Sequence, residues 1–315
     1  MQILPRDYLI TNDGFAFAVV DFGMEEGRIT SCLRYLPTGN RDKPWKKVDT
    51  GEANRLIEMD YPKFRFHSKR RDTLIHAVTR ANISKHFSAR QAVESLLRQP
   101  IHSNVQEKAK KAVEYLTYAG IPAEFLGLSG SLLIGADTDN SDIDLVCYDT
   151  TTFQRIRNIF QCTKGPFNAL SMGDWQKSRV RRGGTLSFEE YYWHEKRKHN
   201  KAMIESTKVD ISLVCLPQTD DEFTDLKYWK KKGHVCLHAV VTDDSAAYQT
   251  PSRWKIAHDS INEIITYSAT FTGQAQSGET IEFAGQLEQN DDGQQRVIVG
   301  QTREAEGSFI KVHPL

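Results

Sequence analysis

The chain has 315 residues, of which 39% are hydrophobic and 26% charged, with 41 basic and 41 acidic side chains. That length buries a real core in two or three domains, and the composition is that of an ordinary soluble protein. No apolar run approaches the roughly 20 residues of a membrane span, and MQILPRDYLI lacks a secretion-signal pattern. No membrane partner is therefore expected, and the cytoplasm is the expected location. Cys32, Cys147, Cys162, Cys215 and Cys236 are scattered and odd in number, with no CxxC pair, so neither a zinc site nor a disulfide framework is expected.

Charge is uneven along the chain. Residues 1–100 carry 17 basic and 12 acidic side chains, residues 101–216 carry 15 and 14, and residues 217–315 carry 9 and 15. A protein gripping a long nucleic acid shows a basic footprint. Near-neutrality with an acidic final third argues against a long duplex as substrate, but not against a short RNA end.

Residues 1–36 alternate apolar and polar runs (YLIT, FAFAVVDF, RITSCLRYL) broken by turn residues, which predicts a small antiparallel meander. Residues 37–51 read as a polar loop. GEANRLIEMD and SARQAVESLLRQ read as helices separated by YPKFRFHSKRRDT. NVQEKAKKAVEYLTYAG (104–120) predicts a strong helix, with Val105, Ala109, Ala112, Val113 and Leu116 on one face and Gly120 as its stop.

The stretch FLGLSGSLLIGADTDNSDIDLVCYD (125–149) carries the chemistry. Two short apolar runs read as strands, the first ending at Gly130-Ser131 and the second led by Asp142 and Asp144. One helical turn from Leu132 and a polar turn separate them. Aspartates at i and i+2 of a strand share a face, about 7 Å apart along the chain. Two like charges buried together are costly unless one takes a proton or a cation neutralises them. Hard carboxylate oxygens suit magnesium. Gly130 permits close backbone approach, and Ser131 at a helix start offers amides and a hydroxyl to a phosphate.

Gly130-Ser131 followed by Asp142-x-Asp144 resembles the signature of the nucleotidyltransferase superfamily typified by DNA polymerase beta. That family uses a third carboxylate on a later strand, and KVDISLVCL (208–216) offers Asp210 in such a setting. The resemblance covers about 90 residues. The first hundred residues also resemble the front of archaeal-type and bacterial nucleotidyltransferases of unknown substrate, in which two hairpins precede the catalytic unit.

Beyond the signature, TTFQRIRNIFQ (151–161) reads as a helix. DWQKSRVRRGG then brings Lys177, Arg179, Arg181 and Arg182 to a glycine break. LSFEEYYWHEKRKHNKAMI predicts a helix capped by Ser187 with Glu190 as its capping-box partner. Its basic end, with Lys196, Arg197, Lys198 and Lys201, leads into the Asp210 strand, so Arg197, Lys198 and Lys201 are candidate triphosphate ligands, with an RNA backbone as the alternative. His194 and His199, at i and i+5, do not share a helix face, and His234 and His238 lie in a strand-like run where i, i+4 is not a helical metal pair. Residues 217–233 read as a polar connector with a short helix. Six strand-like runs from His234 onward, with a DDG turn at 291–293, predict a small antiparallel barrel, more an accessory than an RNA platform given its acidity. There is no Gly-x-Ser-x-Gly elbow, Walker loop or Rossmann fingerprint.

The expected fold class is therefore α+β. A nucleotidyltransferase-type mixed sheet with helices (101–233) is flanked by an N-terminal β-hairpin and helix region (1–100) and a C-terminal barrel (234–315). The resemblance implies that Asp142 and Asp144 bridge two Mg2+ ions (Mn2+ as a substitute) about 3.5–4 Å apart, with Asp210 completing one site. Gly130 and Ser131 would hold the β and γ phosphates of a nucleoside triphosphate. A nucleoside monophosphate then passes to an acceptor hydroxyl on an RNA end, a protein or a small molecule, releasing pyrophosphate. The alternatives are a nucleotide-binding regulatory module without catalysis, and an RNA-binding protein that uses the basic helix and barrel. Oligomeric state is not readable from the sequence.

Overall fold

The computed structural model describes residues 2–182, 184–216, 227–300 and 307–313. It is a mixed α+β fold with three sheets. β1 (Tyr8–Thr11), β2 (Ala16–Val19) and β3 (Arg28–Pro37) form the expected antiparallel meander. β3 alternates buried and half-buried residues almost throughout, as a half-covered strand must. The first sheet is larger than the sequence suggests. β4 (Trp45–Lys47) pairs with β3 inside the segment read as a loop. β5 (Arg65–Ser68), β6 (Thr73–Thr79) and β7 (Ile83–Phe87) lie between the two expected helices, now α1 (Thr50–Met59) and α2 (Ala89–Arg98). β6 lacks the clean alternation that signals a strand: Ala77 and Val78 are both buried while Leu74 is exposed.

α3 (Asn104–Tyr118) buries its five apolar face residues, and Ser103 caps it by accepting the Gln106 N–H. β8 (Leu126–Ser129) leads into the single turn α4 (Gly130–Leu133), and β9 (Ile143–Cys147) leads into α5 (Thr150–Gln161), capped by Asp149. After α6 (Met172–Arg182) and α7 (Phe188–Lys198), the hairpin β10 (Lys201–Ile204) and β11 (Thr207–Leu213) completes a second sheet. Its order is β10-β11-β9-β8, with β9 and β11 parallel and the outer pairs antiparallel. This is a mixed sheet, as expected.

The third sheet contains all six anticipated strands: β12 (Trp229–Asp243), β13 (Ser252–Ala257), β14 (Ile261–Thr266), β15 (Thr280–Asn290), β16 (Gln295–Ile298) and β17 (Phe309–Val312). They surround Trp254, Ile264, Phe283, Val297 and Ile310. The sheet is not wholly antiparallel, because β14 and β16 run parallel. β12 begins five residues before His234, where the connector was expected; residues 217–226 of that connector lie outside the described residues.

The chain groups into two compact units. One holds Met1–Ser68, Thr73–Ala169 and Asn200–Asp225; the other holds Lys69–Asp72, Leu170–His199 and Leu226–Leu315. Residues 170–199, grouped with the mixed sheet in the sequence reading, fall in the second unit.

Within that second unit His194 ties α7 to β17. Its Nδ1–H donates to the Glu190 carbonyl (2.7 Å), and its Nε2 accepts the Val312 N–H (3.0 Å). Burial, more than any neighbouring charge, lowers its pKa to about 4. An unfolded histidine takes up its proton near pH 6.5, whereas this one resists until about pH 4. The stabilisation is thus complete above about 6.5 and is lost as pH falls toward 4, a loss of ~3 kcal/mol for a shift of this size. Urea unfolding at pH 7 and pH 4.5 is expected to show this fall, and His194→Gln to reduce it. An equal fall in both proteins contradicts the assignment.

Candidate active site

The second sheet assembles its charged row by register. Asp144 of β9 lies in register with Asp210 of β11. Ser129 of β8 flanks Asp144 on one side, and Lys201 of β10 flanks Asp210 on the other. Cross-strand partners present their side chains on the same face. β11 is strictly alternating, with Thr207, Val209, Ile211 and Leu213 buried and Lys208, Asp210 and Ser212 on the opposite face.

Lys208 joins the third carboxylate to the row. Its Nζ lies 2.6 Å from Asp210 Oδ2 and 3.1 Å from Asp142 Oδ2, so one ammonium reaches both acids. Asp142 and Asp210 are half-buried, and so is Asp144. Burial first, and the neighbouring Asp210 carboxylate second, push its pKa above the usual carboxylate range; Lys208 and Arg6 oppose that rise, and Asp142 adds to it. Three acids crowd one face, and cations are drawn to them.

Gly130 has a specific reason to be glycine. Its φ is +68°, and a Cβ at this position would lie 2.1 Å from Asp144 Oδ2. The backbone therefore packs directly on the carboxylate, and no other residue permits that approach. Gly130→Ala is expected to displace Asp144, to destabilise by at least the ~1 kcal/mol that a left-handed non-glycine residue costs, and to lose Asp144-dependent activity. Unchanged activity in a folded Gly130→Ala variant contradicts this placement.

The first sheet contributes residues that the sequence did not point to. Ser129 Oγ donates to the Arg6 carbonyl (2.6 Å), and Trp45 Nε1 donates to the Ile134 carbonyl just after α4 (3.1 Å). The Gly130-Ser131 turn is thus held from both ends. Tyr8 and Tyr35 feel the Asp144 charge: burial is the main cause of their raised pKa values, and Asp144 adds to it. Tyr8, Tyr35, Leu133, Ile134 and Val146 share one buried cluster. No local spacing signals Arg6. Lys208, by contrast, stands two residues before Asp210 in KVD, and period-two alternation alone places it on the same face.

The candidate basic residues divide. Lys201 stands in register with Asp210, with its Nζ 3.3 Å from Asn200 Oδ1. Arg197 and Lys198 belong to the second unit, where both have partners. Arg197 donates to Glu279 and lies over the Trp193 ring, 4.4 Å from its centroid. Lys198 is 1% exposed and donates to Glu195 (2.5 Å) and to the Thr270 carbonyl (2.8 Å). Burial and these bonds commit Lys198 to the interior rather than to a triphosphate or an RNA backbone. From the run before α7, Arg179 donates to the Gly184 carbonyl (2.9 Å) and Arg182 to Thr270 Oγ1 (3.4 Å).

No helix of the described residues is long and apolar enough to cross a membrane. The chain is similar to an uncharacterized protein of Methanocaldococcus jannaschii, with 26% identity over 342 aligned positions that span 99% of both chains. No family model matches the chain. No solved structure matches it.

Proposed function

We propose that the protein is a metal-dependent nucleotidyltransferase that moves a nucleoside monophosphate from a nucleoside triphosphate to an acceptor hydroxyl. The observation that carries this reading is the convergence of Asp142, Asp144 and Asp210 on one sheet face, with the Gly130 backbone packed against Asp144. The donor set fits magnesium: three carboxylates offer hard oxygens, and two of them already share a cation, the Lys208 ammonium. Bound magnesium would neutralise triphosphate charge and acidify the acceptor hydroxyl.

In this reading Asp142, Asp144 and Asp210 hold the metal, and Gly130 and Ser131 line the seat of the β and γ phosphates. The acceptor oxygen forms a bond to the α-phosphorus as the bond to the β-phosphate oxygen breaks, and pyrophosphate departs. Asp210 accepts the hydroxyl proton. A metal held by Asp142 and Asp210 would compete with the Lys208 ammonium for these carboxylates, and Lys208 would then offer its positive charge to the triphosphate. Arg6 and Lys201 add positive charge beside the acids. In the second unit, β12-β13-β14-β16-β15 pair in succession and β15 pairs back to β12, which supports reading that unit as a small barrel. The commitment of Lys198 and Arg197 to acidic partners favours an accessory role over RNA binding.

Pyrophosphate release tests the reaction class. Wild-type protein supplied with each nucleoside triphosphate and a cell extract is expected to release pyrophosphate with magnesium but not with excess chelator. Sequential ribonuclease and protease treatment of the product names the acceptor class. Release that persists unchanged without divalent metal counts against the reading.

A further inference from the structure

A second set of metal-ligating side chains lies on the third sheet, with a different chemistry. His238 of β12 stands directly opposite Glu282 of β15 in the antiparallel ladder. His313 follows β17, and its backbone N–H donates to the Thr280 carbonyl (3.0 Å), extending the pairing of β17 on β15 by one residue. Lys311 is the register partner of Glu282, so His313, two residues on, falls on the same face. The ligand atoms of His238, Glu282 and His313 all lie within 4.8 Å of one another. The two imidazole centroids are 5.6 Å apart. Cys236, two residues before His238, brings its Sγ to 3.6 Å from Glu282 Oε1.

Two further observations set this cluster apart from a chance grouping of polar residues. Lys311 faces Glu282 across the ladder but makes its ion pair with Glu190 (2.5 Å), and Glu282 acts on it only as a weaker charge at longer range. The carboxylate is left facing two imidazoles and a thiol. In addition, His313 Nε2 is shielded from solvent and makes no hydrogen bond among the described residues, and it lies 3.6 Å from Glu282 Oε2, beyond hydrogen-bond reach. A shielded ring nitrogen without a hydrogen bond, aimed at a carboxylate, is poised for a ligand.

We propose that His238, Glu282 and His313 bind a borderline divalent transition ion of the zinc class. Two imidazoles with a carboxylate are a zinc-type donor set, whereas magnesium and calcium select oxygen alone. Zinc bonds of about 2.0–2.2 Å draw the three donors closer together, a movement that the exposed His238 side chain accommodates by rotation. The ion would link β12, β15 and the segment after β17, fastening His313 to the sheet. The chain would then sort two cations by ligand type: a hard ion on the aspartates and a softer one here. This site does not depend on the proposed transferase activity.

The test uses the full-length, tag-free chain stripped with a chelator, and reads zinc uptake by competition with a chromophoric indicator. Wild type is expected to bind one zinc ion more tightly than the His238→Ala/His313→Ala double variant, by more than the ~10–100-fold that loss of an outer partner alone costs. Zinc is expected to raise the melting temperature of wild type but not of the double variant, which keeps Asp142, Asp144 and Asp210 intact. Glu282→Gln preserves size, is expected to weaken binding too, and carries the test if the double variant fails to fold. Equal zinc affinity in wild type and these variants overturns the proposal.

Discussion

Asp210→Asn is expected to fold normally and to lose at least ~1000-fold in turnover, roughly 4 kcal/mol of transition-state stabilisation. The side chain is 20% exposed and sits at the face of β11 rather than in its core, so an isosteric amide leaves the buried residues of the strand in place. What changes is charge. The Lys208 ammonium keeps Asp142 but loses the charge of its 2.6 Å partner, and Asp144 is relieved of the neighbour that most raises its pKa after burial. The Asp144 carboxylate therefore titrates nearer the ordinary range in the variant. One fewer hard oxygen donor is expected to weaken magnesium binding, so raising the metal concentration should recover only part of the rate. Near wild-type turnover with intact folding removes the assigned role.

Lys198→Met is expected to destabilise the protein by about 3–5 kcal/mol, the cost of leaving one partner of a buried ion pair without its counter-charge. Lys198 and Glu195 are each 1% exposed, one turn apart on α7, and the ammonium also donates to the Thr270 carbonyl. Methionine fills a similar volume but takes the ammonium away from the Glu195 carboxylate and from that carbonyl. A Lys198→Met/Glu195→Gln double variant is expected to recover much of the loss, since it also removes the buried charge that the ammonium neutralised. Urea denaturation of both variants measures this directly. A triphosphate ligand behaves differently: its removal leaves stability unchanged and raises KM for the nucleotide. A stable Lys198→Met variant with a raised KM would return this residue to the active site.

These two residues mark what local pattern can and cannot convey. Asp142, Asp144, Gly130 and Ser131 were legible because their relations are short-range: a two-residue strand period, a turn, one helical turn. Asp210 was legible through its alternating strand, and so were the Ser187-Glu190 capping box of α7 and the strands of the third sheet, each bounded by turn residues. The register that sets Asp144 beside Asp210 joins strands far apart in sequence, and only the parallel β9–β11 pairing provides it. Arg6 reaches Asp144 from the start of the chain for the same reason.

The basic end of α7 and the strand that follows it divide between the two compact units, so their cations have different partners. His199 adopts a left-handed conformation at the end of α7, and the chain leaves one compact unit for the other between His199 and Asn200. Arg197 and Lys198 thus belong with Glu279, Glu195 and Thr270, while Lys201 belongs with the aspartates. The His238 cluster was invisible for a related reason. Its partners come from two other strands, and i, i+4 spacing to His234 has no meaning on a β-ladder.

The most direct test of the central claim is the fate of the α-phosphate. Nucleoside triphosphate labelled at the α-position, and separately at the γ-position, is incubated with magnesium, cell extract and either wild-type protein or Asp144→Asn. The account predicts that α-label enters the acceptor only with wild-type protein, while γ-label leaves as pyrophosphate. Transfer of γ-label to the acceptor, or α-label entering equally with both proteins, contradicts it.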